Sequence, residues 1–224
     1  AQFALNHMAR AIHEAAGAEF TALATSSMAK AAPFQAFCPG LKVFTDYDAM
    51  LASDEIDAVY IPLPNHMHVD WSLKALAAGK HVLCEKPIAM KAAEIDALIA
   101  KRDETGLLAA EAFMIVHHPQ WARVKEMLAA GEIGDLIRVD VAFSFDNPDL
   151  DNIRNKPGTG GGAMGDIGVY AIGSVRFATG QEPEAITSAN ITYENGVDVT
   201  SAFTARFAGF DYSAYVSMRM SPFQ

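Results

Sequence analysis

Short apolar segments of strand length alternate with helical segments in the first half of the chain. The strand-like segments are Glu19–Thr25, Ile56–Leu63, His81–Cys84 and Leu107–Phe113. The helical segments each end before a glycine, which suits the left-handed position after a helix, and they are His7–Ala16, Val69–Ala78 and Lys91–Thr105. This alternation predicts an α/β domain over residues 1–112, with a Rossmann-type, doubly wound parallel sheet. Asn65 is predicted to cap the helix Val69–Ala78.

The pattern changes after about residue 112. A helix is predicted from Pro119 to Ala130, because proline is favoured in the first turn and Gly131 follows the last residue. A strand, a polar loop and another helix follow at Leu136–Phe145, Asp146–Gly162 and about Asp166–Thr179, and further strands lie near Ile186–Tyr193, Val197–Phe207 and Tyr212–Met218. Consecutive strands without helices imply an antiparallel or mixed sheet. We therefore expect residues 113–224 to form an α+β domain with a largely antiparallel open sheet, truncated at its C-terminal end.

Composition narrows the class of ligand. The 224 residues carry a net charge of -10, which argues against nucleic acid as a partner, because binding to phosphates needs clustered Lys and Arg. Two cysteines, Cys38 and Cys84, make no disulfide framework, and the Cys and His spacing is not that of a metal site. We expect no metal and a reducing, cytoplasmic location. No apolar run reaches the ~18 residues of a membrane helix, so no membrane partner is expected.

The tetrapeptide Cys84-Glu85-Lys86-Pro87 follows a predicted strand. It places the amine of Lys86 at the carboxyl end of that strand, where open α/β sheets bind ligands. Pro87 ends the strand, since it has no N–H to donate to a neighbouring strand. Alone, the tetrapeptide is also compatible with an ordinary surface turn.

A second chemical feature is the glycine-rich segment Gly160–Tyr170. Glycines let the backbone approach a ligand closely, and a helix beginning near Gly165 presents Asp166 and Tyr170 on one face, since they are four residues apart. A carboxylate and a phenol on one helix face can serve acid–base chemistry. The alternative is a helix with a favourable acidic residue in its first turn and a half-buried tyrosine.

These two features belong to an ordered series of motifs that resembles the Gfo/Idh/MocA family of NAD(P)-dependent oxidoreductases. The stretches that carry the resemblance are Asp57–His68, Ala78–Pro87, Glu111–Met114, His118–Gln120, Gly131–Gly134 and Gly160–Tyr170. Tyr170 stands where members similar to inositol dehydrogenase carry histidine. The chain therefore looks closer to the branch of glucose-fructose oxidoreductase, xylose dehydrogenase and dihydrodiol dehydrogenase.

The resemblance implies hydride transfer between NADP(H) or NAD(H) and a CH–OH or C=O group of a sugar, polyol or dihydrodiol. Lys86 and Tyr170 would move the hydroxyl proton, and Asp166 would orient the substrate or the lysine. On the substrate side the resemblance points to His118 and Arg154. For Arg154, a solvated loop position is an equal alternative.

The residues after the second predicted strand bear on the choice of cofactor. This strand ends without an acidic residue, and Ser26, Ser27 and Lys30 can donate to a 2′-phosphate, which favours NADP over NAD. An ordinary serine-rich loop is the alternative. The residues that match the family's cofactor-contacting segments are Pro62, Leu63, Asn65, His68, Glu85 and Lys86. His68 is equally compatible with a helix-face histidine packed on the sheet.

One expected element is missing from the sequence. No glycine precedes Gly17, so the Gly-x-Gly-x-x-Gly loop that seats a pyrophosphate is not visible. We expect that the first strand and this loop precede Ala1 or have been lost from the sequence. A protein without the loop would bind cofactor poorly, which keeps open a non-catalytic, dinucleotide-binding regulatory relative. The resemblance also implies a homodimer or homotetramer that pairs through the open sheet.

Overall fold

The structure is a computed structural model that describes residues 2–223. The described chain divides into two compact units. The first unit comprises Ala1–Leu63, Met67–Glu85 and Lys91–Glu111, and the second comprises Pro64–His66, Lys86–Met90 and Ala112–Gln224. Two short segments, 64–66 and 86–90, therefore belong to the second unit although the first unit surrounds them in sequence.

The first unit is built on parallel strands. Its strands are β1 (Ala22–Ala24), β2 (Lys42–Phe44), β3 (Ala58–Ile61), β4 (His81–Glu85) and β5 (Ala109–Ala112). β1 pairs in parallel with β2, and β3 pairs in parallel with β4, which lies between β3 and β5. Parallel strands joined by helices confirm the Rossmann-type prediction for this part of the chain.

Helices connect the parallel strands. A π-helical turn, Ala4–Met8, runs into α1 (Ala9–Glu14), and the other helices are α2 (Met28–Phe37), α3 (Tyr47–Leu51), α4 (His68–Ala77) and α5 (Ala92–Thr105). Gly79 and Gly106 have φ angles of 77° and 67° just after α4 and α5, which confirms the predicted helix ends. Leu76 of α4 and Val82 and Cys84 of β4 are fully buried, as expected for a parallel strand that is covered by helices.

Three elements of the first unit are absent from the sequence prediction: β2, α2 and α3. β2 has only three residues, and α2 contains Pro33, which is unfavourable inside a helix. The prediction that Asn65 caps α4 is wrong. Asn65 begins a 3-10 turn, Asn65–Met67, and α4 begins at His68 with Met67 as its N-cap residue.

The second unit combines helices with long strands. Its helices are α6 (Pro119–Ala129) and α7 (Val169–Thr179), and a π-helical turn, Met164–Gly168, leads into α7. Short 3-10 turns lie at Met114–His117, Ile153–Asn155 and Pro157–Thr159. The strands are β6 (Arg138–Asp146), β7 (Ala185–Glu194), β8 (Val197–Phe207), β9 (Phe210–Ser217) and β10 (Arg219–Phe223).

These strands form one mixed sheet in the order β10-β6-β9-β8-β7. β6 and β9 are parallel, whereas β10–β6, β8–β9 and β7–β8 are antiparallel, which confirms the predicted, largely antiparallel sheet. Alternate residues of β8 and β9, such as Val199 and Val216, are buried together with Ala171 and Val175 of α7. The hydrophobic core of this unit therefore fixes α7, and the turn that precedes it, on one face of the sheet.

No helix within residues 2–223 combines the length and the apolar character that a membrane crossing requires.

Candidate active site

Lys86 comes directly after β4 and belongs to the second unit, and its ammonium is held by Asp166 of the same unit. The Nζ atom donates to the backbone carbonyl of Asp166 at 2.5 Å and to Asp166 Oδ1 at 2.9 Å. The Lys86 and Asp166 side chains are only 12% and 14% exposed. Two acceptors from one residue restrict an ammonium much more than a single surface ion pair does, since they fix the direction of two of its three N–H groups.

Asp166 also forms an ion pair with Arg154. The Nε atom of Arg154 donates to Asp166 Oδ2 at 2.5 Å, so each carboxylate oxygen of Asp166 has a cationic partner. Burial disfavours the charge on Asp166, but the nearby charges of Lys86 and Arg154 outweigh this effect and hold the pKa of Asp166 below its ordinary value. Asp166 is therefore ionised at neutral pH.

Tyr170 lies beside the same lysine. The Lys86 Nζ atom is 5.0 Å from the centroid of the Tyr170 ring, which is within the range of a cation–π interaction. The ring also contacts Phe113, with centroids 5.5 Å apart, and Phe143, with centroids 5.7 Å apart. The structure thus brings Lys86, Asp166 and Tyr170 together, and Lys86 lies over the tyrosine ring.

The π-helical turn Met164–Gly168 carries Asp166, and its N-terminal end is tied to β8. Asp198 Oδ2 accepts a hydrogen bond from the Met164 N–H at 2.8 Å and one from the Ser201 hydroxyl at 3.2 Å. Burial raises the pKa of the Asp198 carboxyl above its ordinary value, although hydrogen bonds to it act in the opposite direction. Sequence reasoning missed Asp198. Its signal is a carboxylate inside a strand whose neighbours are apolar or hydroxyl-bearing.

The glycines of residues 160–162 bring their backbone close to other groups. The Asn65 side-chain amide donates to the Gly160 carbonyl at 2.9 Å, and the Gly162 N–H donates to the Arg154 carbonyl at 3.0 Å. A Cβ atom at Gly161 would collide with the Arg154 carbonyl, so this position requires glycine. The sequence predicted that these glycines let the backbone approach a ligand closely. In the structure, they let it approach other groups of the protein.

Arg154 belongs to a segment that is held by several hydrogen bonds. Asn155, which is buried, donates from its amide to the carbonyls of Asn147 at 3.0 Å and Asp149 at 2.7 Å. Its Oδ1 atom accepts from Arg219 at 3.0 Å. Asn155 was not identified from the sequence, because one asparagine in a polar stretch carries no distinguishing pattern.

His118, predicted to lie on the substrate side, begins a helix. Its Nδ1 atom accepts from the Gln120 N–H at 3.1 Å, which makes His118 the N-cap residue of α6, and Pro119 occupies the first helical position. The side chain is exposed. This capping bond fixes one ring nitrogen as an acceptor.

The cofactor-related residues around β3 and β4 are held by polar contacts within the first unit. The Tyr60 hydroxyl donates to Glu85 Oε1 at 2.5 Å, which positions the glutamate at the end of β4. His68 is 1% exposed, and its Nε2 atom lies 2.7 Å from the Leu63 carbonyl. This contact ties the start of α4 to the segment Pro62–Leu63 that follows β3. Sequence reasoning missed Tyr60.

Ser26, Ser27 and Lys30 lie together at the carboxyl end of β1. Ser27 is the residue before α2, and the Lys30 ammonium donates to the Ser26 hydroxyl at 2.9 Å. Ser26 and Lys30 are exposed. A hydroxyl and an ammonium at a helix N-terminus provide donors that suit an anionic group.

Across residues 2–223, the structure forms no group of three or more His, Cys, Asp or Glu side chains that could hold a metal ion.

Two family models match the chain. The model described as "Oxidoreductase family, NAD-binding Rossmann fold" matches residues 1–113, and the model described as "GFO/IDH/MocA C-terminal domain" matches residues 121–223.

Several curated relatives have the names of oxidoreductases that act on sugars. The chain is 39% identical over 183 residues to dTDP-3,4-didehydro-2,6-dideoxy-alpha-D-glucose 3-reductase from Streptomyces violaceoruber, which covers 81% of the chain and 53% of that protein. It is 40% identical over 156 residues to D-xylose 1-dehydrogenase (NADP(+)) 2 from Haloferax volcanii, which covers 69% of the chain and 48% of that protein. The chain spans about half the length of the curated relatives it matches.

Solved structures agree with these matches. A 3-ketoreductase from Actinomadura kijaniata, solved in complex with NADP and TDP-benzene, superposes with a TM-score of 0.92 at 32% sequence identity, over 99% of this chain and 69% of that one. Together, the family models and these relatives confirm the resemblance drawn from the ordered motifs. The chain belongs to the Gfo/Idh/MocA family of oxidoreductases.

Proposed function

We propose that the protein is an oxidoreductase that transfers a hydride between NADP(H), or less readily NAD(H), and a CH–OH or C=O carbon of a sugar, polyol or dihydrodiol. The observation that carries the proposal is the position of the Lys86 ammonium. It is held by Asp166 at 2.5 and 2.9 Å, and it lies 5.0 Å from the Tyr170 ring centroid. A buried ammonium beside a phenol provides two positioned groups that can take part in proton transfer at a substrate oxygen.

The residues of the first unit fit a dinucleotide. Ser26, Ser27 and Lys30 would hold the 2′-phosphate of NADP, because a hydroxyl, an ammonium and a helix N-terminus all favour an anion. The Haloferax volcanii relative is named for NADP(+), and the Actinomadura kijaniata structure contains NADP, which supports the same preference. The remaining proposed cofactor contacts are those of Pro62, Leu63, Asn65, His68, Glu85 and Lys86. When bound, the nicotinamide supplies the carbon that accepts or donates the hydride.

In this proposal the proton moves through the second unit's own residues. Tyr170 and Lys86 exchange the proton of the substrate hydroxyl, and Asp166 keeps the lysine oriented through two acceptors. Asp166 stays ionised because Lys86 and Arg154 lower its pKa against the effect of burial.

Two further residues are proposed to contact substrate. Arg154 is 42% exposed while its Nε atom binds Asp166, so part of its guanidinium remains accessible to a hydroxyl group of a sugar. His118 is exposed at the start of α6, where its capping bond uses Nδ1 and leaves the opposite ring edge accessible. Both contacts follow from the family resemblance.

The relatives suggest two types of substrate to test. One type is a sugar linked to a deoxythymidine diphosphate, as in the Streptomyces violaceoruber reductase, and the other is a free sugar, as in the xylose dehydrogenase. A test panel should therefore contain free aldoses, polyols, a dihydrodiol and a dTDP-linked keto sugar.

The first experiment is a titration of the protein with NADPH and with NADH, followed by the fluorescence of the reduced nicotinamide. We expect saturable binding, tighter for NADPH. The substrate panel is then assayed with wild-type protein, Lys86→Met and Tyr170→Phe. Both variants should lose turnover by at least ~10²-fold, and Tyr170→Phe should leave cofactor affinity nearly unchanged. Normal turnover in both variants would refute the assigned chemistry.

Saturable cofactor binding without turnover on the whole panel would favour the non-catalytic regulatory alternative. The Lys86–Asp166–Tyr170 arrangement argues against that alternative, since a regulatory dinucleotide sensor has no need of a buried proton-transfer group. Cofactor binding by residues 1–112, substrate binding by residues 113–224, a homodimeric or homotetrameric assembly and a cytoplasmic location stay predictions.

A further inference from the structure

Two aromatic side chains, Phe113 and Phe143, pack against the ring of Tyr170. Phe113 lies against it at a centroid distance of 5.5 Å and an interplanar angle of 30°, which is a stacked arrangement. Phe143 contacts it at 5.7 Å and 48°. The direction of a tyrosine hydroxyl depends on the plane and tilt of its ring, so contacts on the ring determine where the hydroxyl points.

Phe113 in turn depends on a glycine of α7. A Cβ atom at Gly173 would lie 2.5 Å from Phe113 Cζ and 2.8 Å from Cε1, which is closer than van der Waals contact allows. Gly173 is three residues after Tyr170, on the same side of the helix. The space left by the missing Cβ is therefore occupied by the outer edge of the ring that stacks on Tyr170.

Glycine at this position has a cost for the helix. Inside a helix, glycine is less favourable than alanine, because it loses more backbone conformational freedom on folding. The backbone of Gly173 is helical, so conformational freedom does not explain the residue. The contact with Phe113 is the feature of this position that alanine would disturb.

We propose that Gly173 and Phe113 are positioning residues that set the ring plane of Tyr170 beside Lys86, an inference that rests on the proposed function of Tyr170. Gly173 admits the Phe113 ring, Phe113 stacks on Tyr170, and the phenol is thereby held in the orientation in which it meets a substrate oxygen. Small displacements of a reacting group reduce rates steeply, by as much as ~10²-fold for about 1 Å.

The kinetic test compares Gly173→Ala, Phe113→Leu and the double variant, with Gly40→Ala as the matched control, because a Cβ at Gly40 meets nothing within 4 Å. We expect each single variant to lower kcat by ~10-fold or more, with KM and the Kd for NADPH nearly unchanged. Leucine relieves the collision, so adding Gly173→Ala to Phe113→Leu should cause no further loss. Losses that multiply in the double variant, or full activity of Gly173→Ala, would overturn the proposal.

A second measurement does not depend on turnover. The chain contains six tyrosines, and ring-labelled tyrosine gives a spectrum in which the Tyr170 signal is assigned by its loss in Tyr170→Phe. Ring currents from Phe113 act on Tyr170, so this signal should move in both Gly173→Ala and Phe113→Leu and stay in place in Gly40→Ala. An unmoved Tyr170 signal in Gly173→Ala refutes the positioning role. An inactive wild type with the expected shifts would instead refute the proposed function and leave the positioning role supported.

Discussion

Replacing Asp166 by asparagine removes the negative charge that two cations share while keeping the size of the side chain. Breaking one partner of a buried ion pair typically costs ~3–5 kcal/mol. Here Lys86 keeps the backbone carbonyl of residue 166, 2.5 Å from its Nζ atom, and Arg154 is 42% exposed and can be hydrated. Both facts lower the cost. We therefore expect the free energy of unfolding to fall by about 2–4 kcal/mol at pH 7.

The same substitution has a defined pH dependence. Although burial opposes its charge, the nearby Lys86 and Arg154 hold the pKa of Asp166 below its ordinary value, so the folded protein binds this proton less tightly than the unfolded chain does. The carboxylate's contribution is complete above the unfolded pKa of ~3.9 and is lost as the pH falls through the lower, folded value. The difference between wild type and Asp166→Asn should be constant between about pH 5 and 8 and should narrow below about pH 4.

Urea unfolding measures this difference. The chain has two tryptophans, Trp71 in the first unit and Trp121 in the second, so a Trp71→Phe background lets fluorescence report the unit that contains Asp166. The control is Glu184→Gln, which breaks an exposed pair with Arg206 in the same unit as Asp166 and should cost no more than ~1 kcal/mol. A loss below about 0.5 kcal/mol in Asp166→Asn at pH 7 would show that the two cations contribute no net stability through Asp166.

Three further substitutions test the groups around the site. Tyr60→Phe removes the hydroxyl that donates to Glu85 at 2.5 Å, and it should weaken NADPH binding several-fold; an unchanged Kd would mean that the position of Glu85 does not matter for the cofactor. Lys30→Glu should raise the Kd for NADPH by ~10-fold or more and leave that for NADH nearly unchanged, and equal effects on both would argue against a 2′-phosphate site. Asp198→Ala leaves the Met164 N–H without its acceptor and should cost about 1–3 kcal/mol in urea unfolding, whereas Asp198→Asn keeps an acceptor and should lose less.

The sequence pattern was sufficient where the elements are long and regular. Hydrophobic periodicity and the positions of glycines were enough to predict three such elements from the sequence. They are the β4 strand at His81–Glu85, the helix that ends before Gly106 and the long strand Val197–Phe207. β2 escaped prediction because its three residues include the charged Lys42 and show no period, whereas the three residues of β1 are all apolar. The α2 helix was not predicted because Pro33, and Ser26 and Ser27 before the helix, favour a loop. The parallel pairing of β1 with β2 on either side of this helix joins residues that are distant in sequence.

The candidate site divides in the same way. Lys86, Asp166 and Tyr170 could be named in advance because each belongs to a motif. The contacts between these residues could not be predicted. Lys86 and Asp166 are 80 residues apart, and the acceptors of the Lys86 ammonium depend on how the whole chain folds. Tyr60 and Asp198 were missed for a related reason. Each acts on another residue through one hydrogen bond, and such a role leaves no periodic pattern in the sequence.

The glycine-rich turn at 160–162 illustrates how one short segment carries several constraints. Gly161 allows the Arg154 carbonyl to approach the backbone of the turn, and the Arg154 side chain donates a hydrogen bond to Asp166. A Cβ at Gly162 would meet the Asp198 carboxylate, which binds the Met164 N–H at the start of the turn that carries Asp166. The close contacts at Gly161 and at Gly162 therefore both help to determine the position of the Asp166 carboxylate. It follows that these glycines need no direct contact with a ligand to matter for activity, because displacing the turn would move the acceptor that holds Lys86.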